Sequence, residues 1–284
     1  MLISTVETTS RERLTYQPQA RQAQPGQGRD RQGGRRYSLD QLLMRTGPLP
    51  PYTALLGLCA DGRPYLFDLR NPKPGSILIS GGGLCGKTAL LKTVLASAAR
   101  LNPPEKVKFG VLSARPEEWD DFLTGRHCLG VLPVGAEGAG ALIEDLANLC
   151  LRRMANPDAN RPEPVLVLAI DDLPALQRAQ PGESMESLAW LAECGPGCGI
   201  WVLATRCAGQ NPPEPGESFH TRIFGQYAQE EGLPGAGFDI PDLEPGQFAL
   251  PSARGWLRFW SPMMEPFNST ARGNAAEILP GGAA

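Results

Sequence analysis

Apolar residues in this chain fall into short blocks with two different spacings. VKFGVL (107–112), PVLVLAI (164–170) and GIWVLAT (199–205) are nearly continuous aliphatic runs, and SILIS (76–80) is a shorter one. Runs of that length without polar alternation predict strands buried on both faces. Between them, Leu90, Leu91, Val94, Leu95 and Ala98 recur at helical spacing, and Ala141 to Met154 and Met185 to Cys194 also read as helices. Strands alternating with helices predict an α/β fold with a mostly parallel sheet covered by helices on both faces.

The flanks carry other signals. ALLGLC and PYLFDL surround Asp61-Gly62, a strong hairpin signature. Ser38 to Met44 reads as a short amphipathic helix capped by Ser38 and broken by GPLPP (47–51). QFAL (247–250) and WLRFW (256–260) are expected to close the sheet as a hairpin or as edge strands, after a Pro-rich loop QNPPEPGES (210–218).

Composition changes this picture mainly at the ends. Residues 1–37 hold seven Arg against three acids, while the whole chain of 284 residues carries a net charge of −3. Few aliphatic side chains are available there to offset the entropy of ordering, so 1–37 is expected to be a disordered basic arm. The folded domain is placed at 38–262 and a flexible tail at 263–284. The 33 Gly and 28 Pro are high numbers and fit this abundance of turns and ends. No aliphatic run approaches the roughly 20 residues of a membrane span, and MLISTVETTSRERL lacks the pattern of a secretory signal. The expectation is a cytoplasmic protein without membrane contact. Seven scattered cysteines fit reduced thiols, and CGPGC (194–198), without a second Cys or His pair nearby, reads as a turn rather than a zinc site.

The strongest chemical signal is Gly81-Gly82-Gly83-Leu84-Cys85-Gly86-Lys87-Thr88, which matches G-x-x-x-x-G-K-[ST] and stands between a strand and a helix. Glycines let the backbone wrap closely around phosphate, and the helix that follows adds partial positive charge at its start. The expected nucleotide contacts are these eight residues and Ala89. Lys87 reaches the β- and γ-phosphates and the Thr88 hydroxyl binds Mg2+, with ATP as the nucleotide. Two strands further on, Ile170-Asp171-Asp172 puts two carboxylates at the end of an aliphatic strand, where ligands bind in such sheets. Asp171 is assigned to the magnesium ion through its waters. Asp172 is assigned to orienting the attacking water, with capping of the next helix as its alternative. A dehydrogenase is excluded, because the loop has Gly-Lys-Thr instead of G-x-G-x-x-G. His127 and His220 are far apart, and no catalytic triad stands out.

Over roughly 53–262 these residues resemble the motor domain of the FtsK/SpoIIIE family of DNA translocases. The likeness is carried by GLCADGRPYLFDL before ILISGGGLCGKTALLKTVLASAA, by LNPPEKVKFGVL, LANLCLRRM, VLAIDDL, CGIWVLATR (198–206) and HTRIF (220–224), and more loosely by LEPGQFAL (243–250). The resemblance implies a RecA-like ATPase that assembles as a ring, often a hexamer, around double-stranded DNA. It also makes Arg222 a candidate finger acting across the subunit boundary, against the alternative of a structural ion pair. The chain departs from the family in having Asp172 for its usual Glu, Arg206 for Gln, and Ser113-Ala114-Arg115 for Asp-Pro-Lys. The shorter Asp172 side chain withdraws its carboxylate by one methylene, which makes slow or conditional hydrolysis an expectation. Two alternatives to a DNA motor stay open: an ATP-binding switch or assembly module acting through a protein partner, and a motor on protein substrates of the secretion type.

Overall fold

In the computed structural model, residues 37–156, 163–207, 218–227, 240–253 and 255–264 are described. The basic arm apart from Tyr37, the Pro-rich loop apart from Ser218, and the tail beyond 264 lie outside these residues.

The expected elements are present. Helix α1 (Leu39–Thr46) starts at a full capping box, in which Ser38 Oγ accepts from the Gln41 N–H and the Gln41 side chain accepts from the Ser38 N–H. Strands β1 (Thr53–Cys59) and β2 (Pro64–Asp68) form the antiparallel hairpin, and its turn needs a positive φ of 80° at Gly62. The aliphatic runs become β3 (Ile77–Gly81), β4 (Val107–Ser113), β6 (Val165–Asp171) and β7 (Ile200–Cys207). Four more strands join the sheet. They are β5 (Cys128–Pro133) at one edge, β8 (Thr221–Phe224), and the hairpin of β9 (Gln247–Ser252) with β10 (Gly255–Trp260).

All ten strands share one sheet in the order β2-β1-β10-β9-β8-β3-β7-β6-β4-β5. From β8 to β5 every pairing is parallel, and from β2 to β8 every pairing is antiparallel. The parallel half requires covered faces because each connection crosses over the sheet. Helix α2 (Lys87–Leu101) covers one face, where Leu90, Leu91, Val94 and Leu95 pack with Ile77, Ile79, Val167, Leu203 and Ile223. On the other face α4 (Glu137–Ala155), α5 (Leu173–Ala179) and α6 (Glu183–Cys194) pack Ile143, Leu176 and Leu188 with Leu78, Leu168, Ile170 and Val202. A short helix, α3 (Asp120–Leu123), follows a 3-10 turn at Pro116–Trp119 and buries Trp119 and Phe122.

Two long-range contacts tie the antiparallel half to the rest. Trp201 on β7 is fully buried, donates from Nε1 to the Leu69 carbonyl at 2.9 Å, and meets Phe67 edge-on with ring centroids 4.7 Å apart. At the other end, Met263 forms a bridge with Ser38, and its carbonyl accepts from the Leu39 N–H at 3.2 Å. Ordered backbone pairing therefore continues past the expected domain boundary at 262, because α1 needs a partner for its first turn. CGPGC is a tight 3-10 turn at Gly195–Cys198, as the turn reading expected. Among the described residues no helix is long and apolar enough to cross a membrane.

Candidate nucleotide site

The phosphate loop joins β3 to α2 across the carboxyl end of the parallel strands. Its backbone departs from ordinary geometry at two places. Leu84 at the tip has φ 59° and is fully exposed, and Gly86 has φ 100° as it turns into the helix. A Cβ at Gly86 would meet the Gly246 Cα at an ordinary 3.6 Å, so it is the positive φ that calls for glycine there. Neighbouring segments pin the loop. The Gly82 N–H donates to the Gln226 carbonyl at 2.7 Å, and the Gly246 N–H donates to the Cys85 carbonyl at 3.0 Å.

The start of α2 is the feature that makes this loop a binding site. Helix α2 begins at Gly86 without a side-chain cap, as do α3, α4 and α6, but those three carry acids in their first turns and α2 carries none. The first N–H groups of a helix have no partner inside it, so Lys87, Thr88 and Ala89 present backbone donors toward the loop, reinforced by the helix dipole. An anion satisfies all of them together. Lys87 Nζ now donates to the carbonyls of Gly81 at 3.1 Å and Gly82 at 2.6 Å, folded back over the space that the loop encloses.

The acidic side is equally ordered. Thr88 Oγ1 lies 2.9 Å and 3.2 Å from the two oxygens of Asp171, which is 7 % exposed. Thr205 Oγ1 donates to Asp171 Oδ1 at 3.0 Å and accepts from the Asp172 N–H at 2.9 Å. One hydroxyl on β7 thus fixes both acids at the end of β6. Thr205 was not among the sequence candidates, although it lies inside the quoted run CGIWVLATR; only the pairing of β6 with β7 reveals its partners.

Asp172 stands in the left-handed region at φ 78°, and its Oδ1 accepts from the Ala175 N–H at 3.0 Å. The capping role left open by the sequence is therefore present, and it engages Oδ1. Asp and Asn tolerate this conformation better than other residues with side chains.

Arg222 is not brought together with Lys87, Thr88 and Asp171. Its register partner is Leu78, and its neighbour Ile223 packs on the α2 side, so alternation puts Arg222 on the opposite face. There it lies close to Arg206, which is 7 % exposed and donates from Nε to Ser80 Oγ at 3.0 Å. Burial first, and then the positive charge of Arg222, hold the Arg206 guanidinium below its ordinary pKa.

A parallel sheet with a glycine loop leading into an uncapped helix, and an acid on a nearby strand meeting the loop's threonine, defines a P-loop NTPase. The sequence is 27% identical over 171 residues to DNA translocase SftA of Bacillus subtilis (strain 168), an FtsK/SpoIIIE-family protein, with 54% of this chain matched and 18% of that protein. Among solved structures, ATPases 2 and 3 of Thermomonospora curvata EccC, in complex with a signal sequence peptide, superpose with TM-score 0.62 at 18% identity, over 75% of this chain and 41% of that one. EssC ATPases 2 and 3 from Geobacillus thermodenitrificans give TM-score 0.57 at 16% identity, over 78% of this chain and 48% of theirs. The chain thus spans less than half the length of these proteins. No protein-family model matches it. The resemblance to FtsK-like motor domains is met by a translocase relative in sequence, and the P-loop fold by the secretion ATPases in structure.

Proposed function

We propose that this chain is an ATP-hydrolysing motor domain that works on double-stranded DNA as a ring, most simply a hexamer, in the cytoplasm. The observation that carries the ATPase reading is the uncapped, acid-free start of α2 beside Lys87, with Thr88 and Asp171 already in contact. Residues 81–89 would hold the phosphates, with Lys87 leaving the Gly81 and Gly82 carbonyls for the β- and γ-oxygens. Thr88 Oγ1 is a hard oxygen donor suited to Mg2+, and the Asp171 carboxylate would accept hydrogen bonds from the ion's waters, with the remaining ligands coming from phosphate and water. When bound, the ion would neutralise charge on the phosphate oxygens. Thr205 keeps Asp171 oriented for that purpose.

Asp172 would orient the attacking water through Oδ2 while Oδ1 holds the cap. Asp172→Asn separates the two tasks, since Asn caps helices as well as Asp and also tolerates a left-handed backbone. The variant should keep its thermal stability and its ATP affinity and lose at least about a hundredfold in turnover, within the usual 10²–10⁴ range of general acid–base effects. Unchanged turnover would return Asp172 to capping alone. Arg222 would act from a neighbouring subunit as a guanidinium on the transferred phosphoryl, a task that suits a residue remote from its own loop.

The DNA substrate is supported by the likeness to a DNA translocase. The basic arm at 1–37, ahead of the motor domain at 38–262 and the tail at 263–284, would add phosphate contacts of no sequence preference. A second reading, a motor on protein substrates, is favoured by the EccC likeness, since that ATPase pair was solved with a signal sequence peptide. ATPase rate measured with and without long double-stranded DNA tests the proposal. A DNA motor should be stimulated severalfold, with the stimulation falling steeply as salt rises. A rate indifferent to DNA at every salt concentration would contradict the DNA reading and leave a protein substrate or a partner-operated switch.

A further inference from the structure

Two thiols meet at the phosphate loop. Cys85 is buried under it, and its Sγ lies only 2.5 Å from where a Cβ on Gly81 would stand and 2.9 Å from where one on Gly225 would stand. The sulfur therefore occupies the side-chain space that these two glycines leave over β3. Cys207, the last residue of β7, is exposed and is the register partner of Gly81. Register partners on parallel strands point to the same face and stand about 5 Å apart. The Cys207 side chain thus projects from the next strand on the face where the Cys85 sulfur already sits. Turning its sulfur toward β3 would bring it toward the Cys85 sulfur.

We propose that Cys85 and Cys207 are a redox-modifiable pair whose disulfide locks the phosphate loop to the end of β7. The inference rests on the nucleotide-site reading above. With hydrogen peroxide as oxidant, the exposed Cys207 thiolate attacks one peroxide oxygen, the O–O bond breaks, and a sulfenic acid and hydroxide form. The Cys85 thiolate then attacks the sulfenic sulfur, the S–S bond forms, the S–O bond breaks, and hydroxide leaves to be protonated to water. Two thiols have lost two electrons and two protons, and one peroxide has become two waters. A small dithiol reverses the bond by exchange.

The order of events follows from the surroundings. Burial holds the Cys85 thiol above its ordinary pKa, although the Lys87 ammonium, 3.9 Å from the sulfur, pulls the other way. Exposed Cys207 is therefore oxidised first and buried Cys85 resolves it. The lock acts on nucleotide binding because Cys85 lies inside the loop that must wrap the phosphates, and Lys87 must swing away from the Gly81 and Gly82 carbonyls to reach them. Tethering Cys85 over Gly81 opposes both movements.

The test uses the full chain, reduced or treated with hydrogen peroxide, then desalted. Peptide mapping without reductant should recover a linked pair containing Cys85 and Cys207, and affinity for a fluorescent ATP analogue should fall at least tenfold and return with dithiothreitol. Cys207→Ser should keep the reduced protein's affinity after the same treatment, which also discounts Cys150 and Cys198, two buried thiols that hydrogen-bond each other elsewhere in the fold. Absence of the linked peptide, or a linked protein that binds the analogue as tightly as the reduced one, overturns the proposal. Failure of the reduced protein to bind the analogue overturns the nucleotide-site reading instead, and the peptide map still decides whether the disulfide forms.

Discussion

Lys87→Ala should bind ATP between about tenfold and about a hundredfold more weakly than the parent, from the roughly 1.5–3 kcal/mol of a hydrogen bond to a charged group. Its hydrolysis should fall further, by about a hundredfold or more, because the lost ammonium faces charge that grows in the transition state. The fold should survive the change. Lys87 is half-buried, and its present hydrogen bonds go to the Gly81 and Gly82 carbonyls, which the loop can offer to water once the ammonium is gone. Equilibrium binding and single-turnover hydrolysis check both effects, and a thermal melt close to the parent's confirms that neither comes from unfolding.

The second large effect is expected at Asp171. Asp171→Asn keeps an oxygen that can accept from Thr88 and Thr205, whose hydroxyls now donate to Asp171 Oδ1 at 2.9 Å and 3.0 Å. The substitution therefore removes charge with little change in packing. Turnover should drop at least about a hundredfold, since the metal supplies transition-state charge stabilisation worth several kcal/mol. ATP binding without magnesium should be unchanged, and the gain in affinity on adding magnesium should disappear. Titration of ATP with and without the metal separates these outcomes. A variant that still gains affinity with magnesium would assign the ion to other groups.

Both predictions rest on residues that the sequence already exposed, and the reason is physical. The runs that became β3, β4, β6 and β7 are buried almost throughout, so their burial is written as unbroken aliphatic sequence. The loop between β3 and α2 was legible because phosphate binding demands glycines, a lysine and a hydroxyl at fixed spacing. The edges were not. Strand β5 is only half-buried and ends in Pro133, and β8 is four residues long with an arginine inside it, so neither shows a clear period. Helix α5 has seven residues and a proline at its second position, too short for a periodic pattern to emerge.

The site divides in the same way. Groups whose role is local, such as Lys87 and Thr88, could be assigned from spacing. Thr205, Gln226 and Gly246 could not, because each acts through a partner far away in the chain: Asp171, Gly82 and Cys85 respectively. Asp172 lies between these cases. Its sequence position allowed a cap or a catalytic carboxylate, and the geometry shows the cap while leaving the carboxylate at the strand end beside Asp171. The approach of Cys207 to the Cys85 sulfur needed both the β3–β7 register and the small size of Gly81.

Equilibrium titration of ATP onto the reduced, full-length chain, beside Lys87→Ala, tests the central claim most directly. Saturable binding at one site per chain, tightened by magnesium, competed by ADP and weakened in the variant, is the result predicted by a phosphate loop at 81–89. No saturable binding at millimolar ATP, or equal affinity in parent and variant, would contradict it.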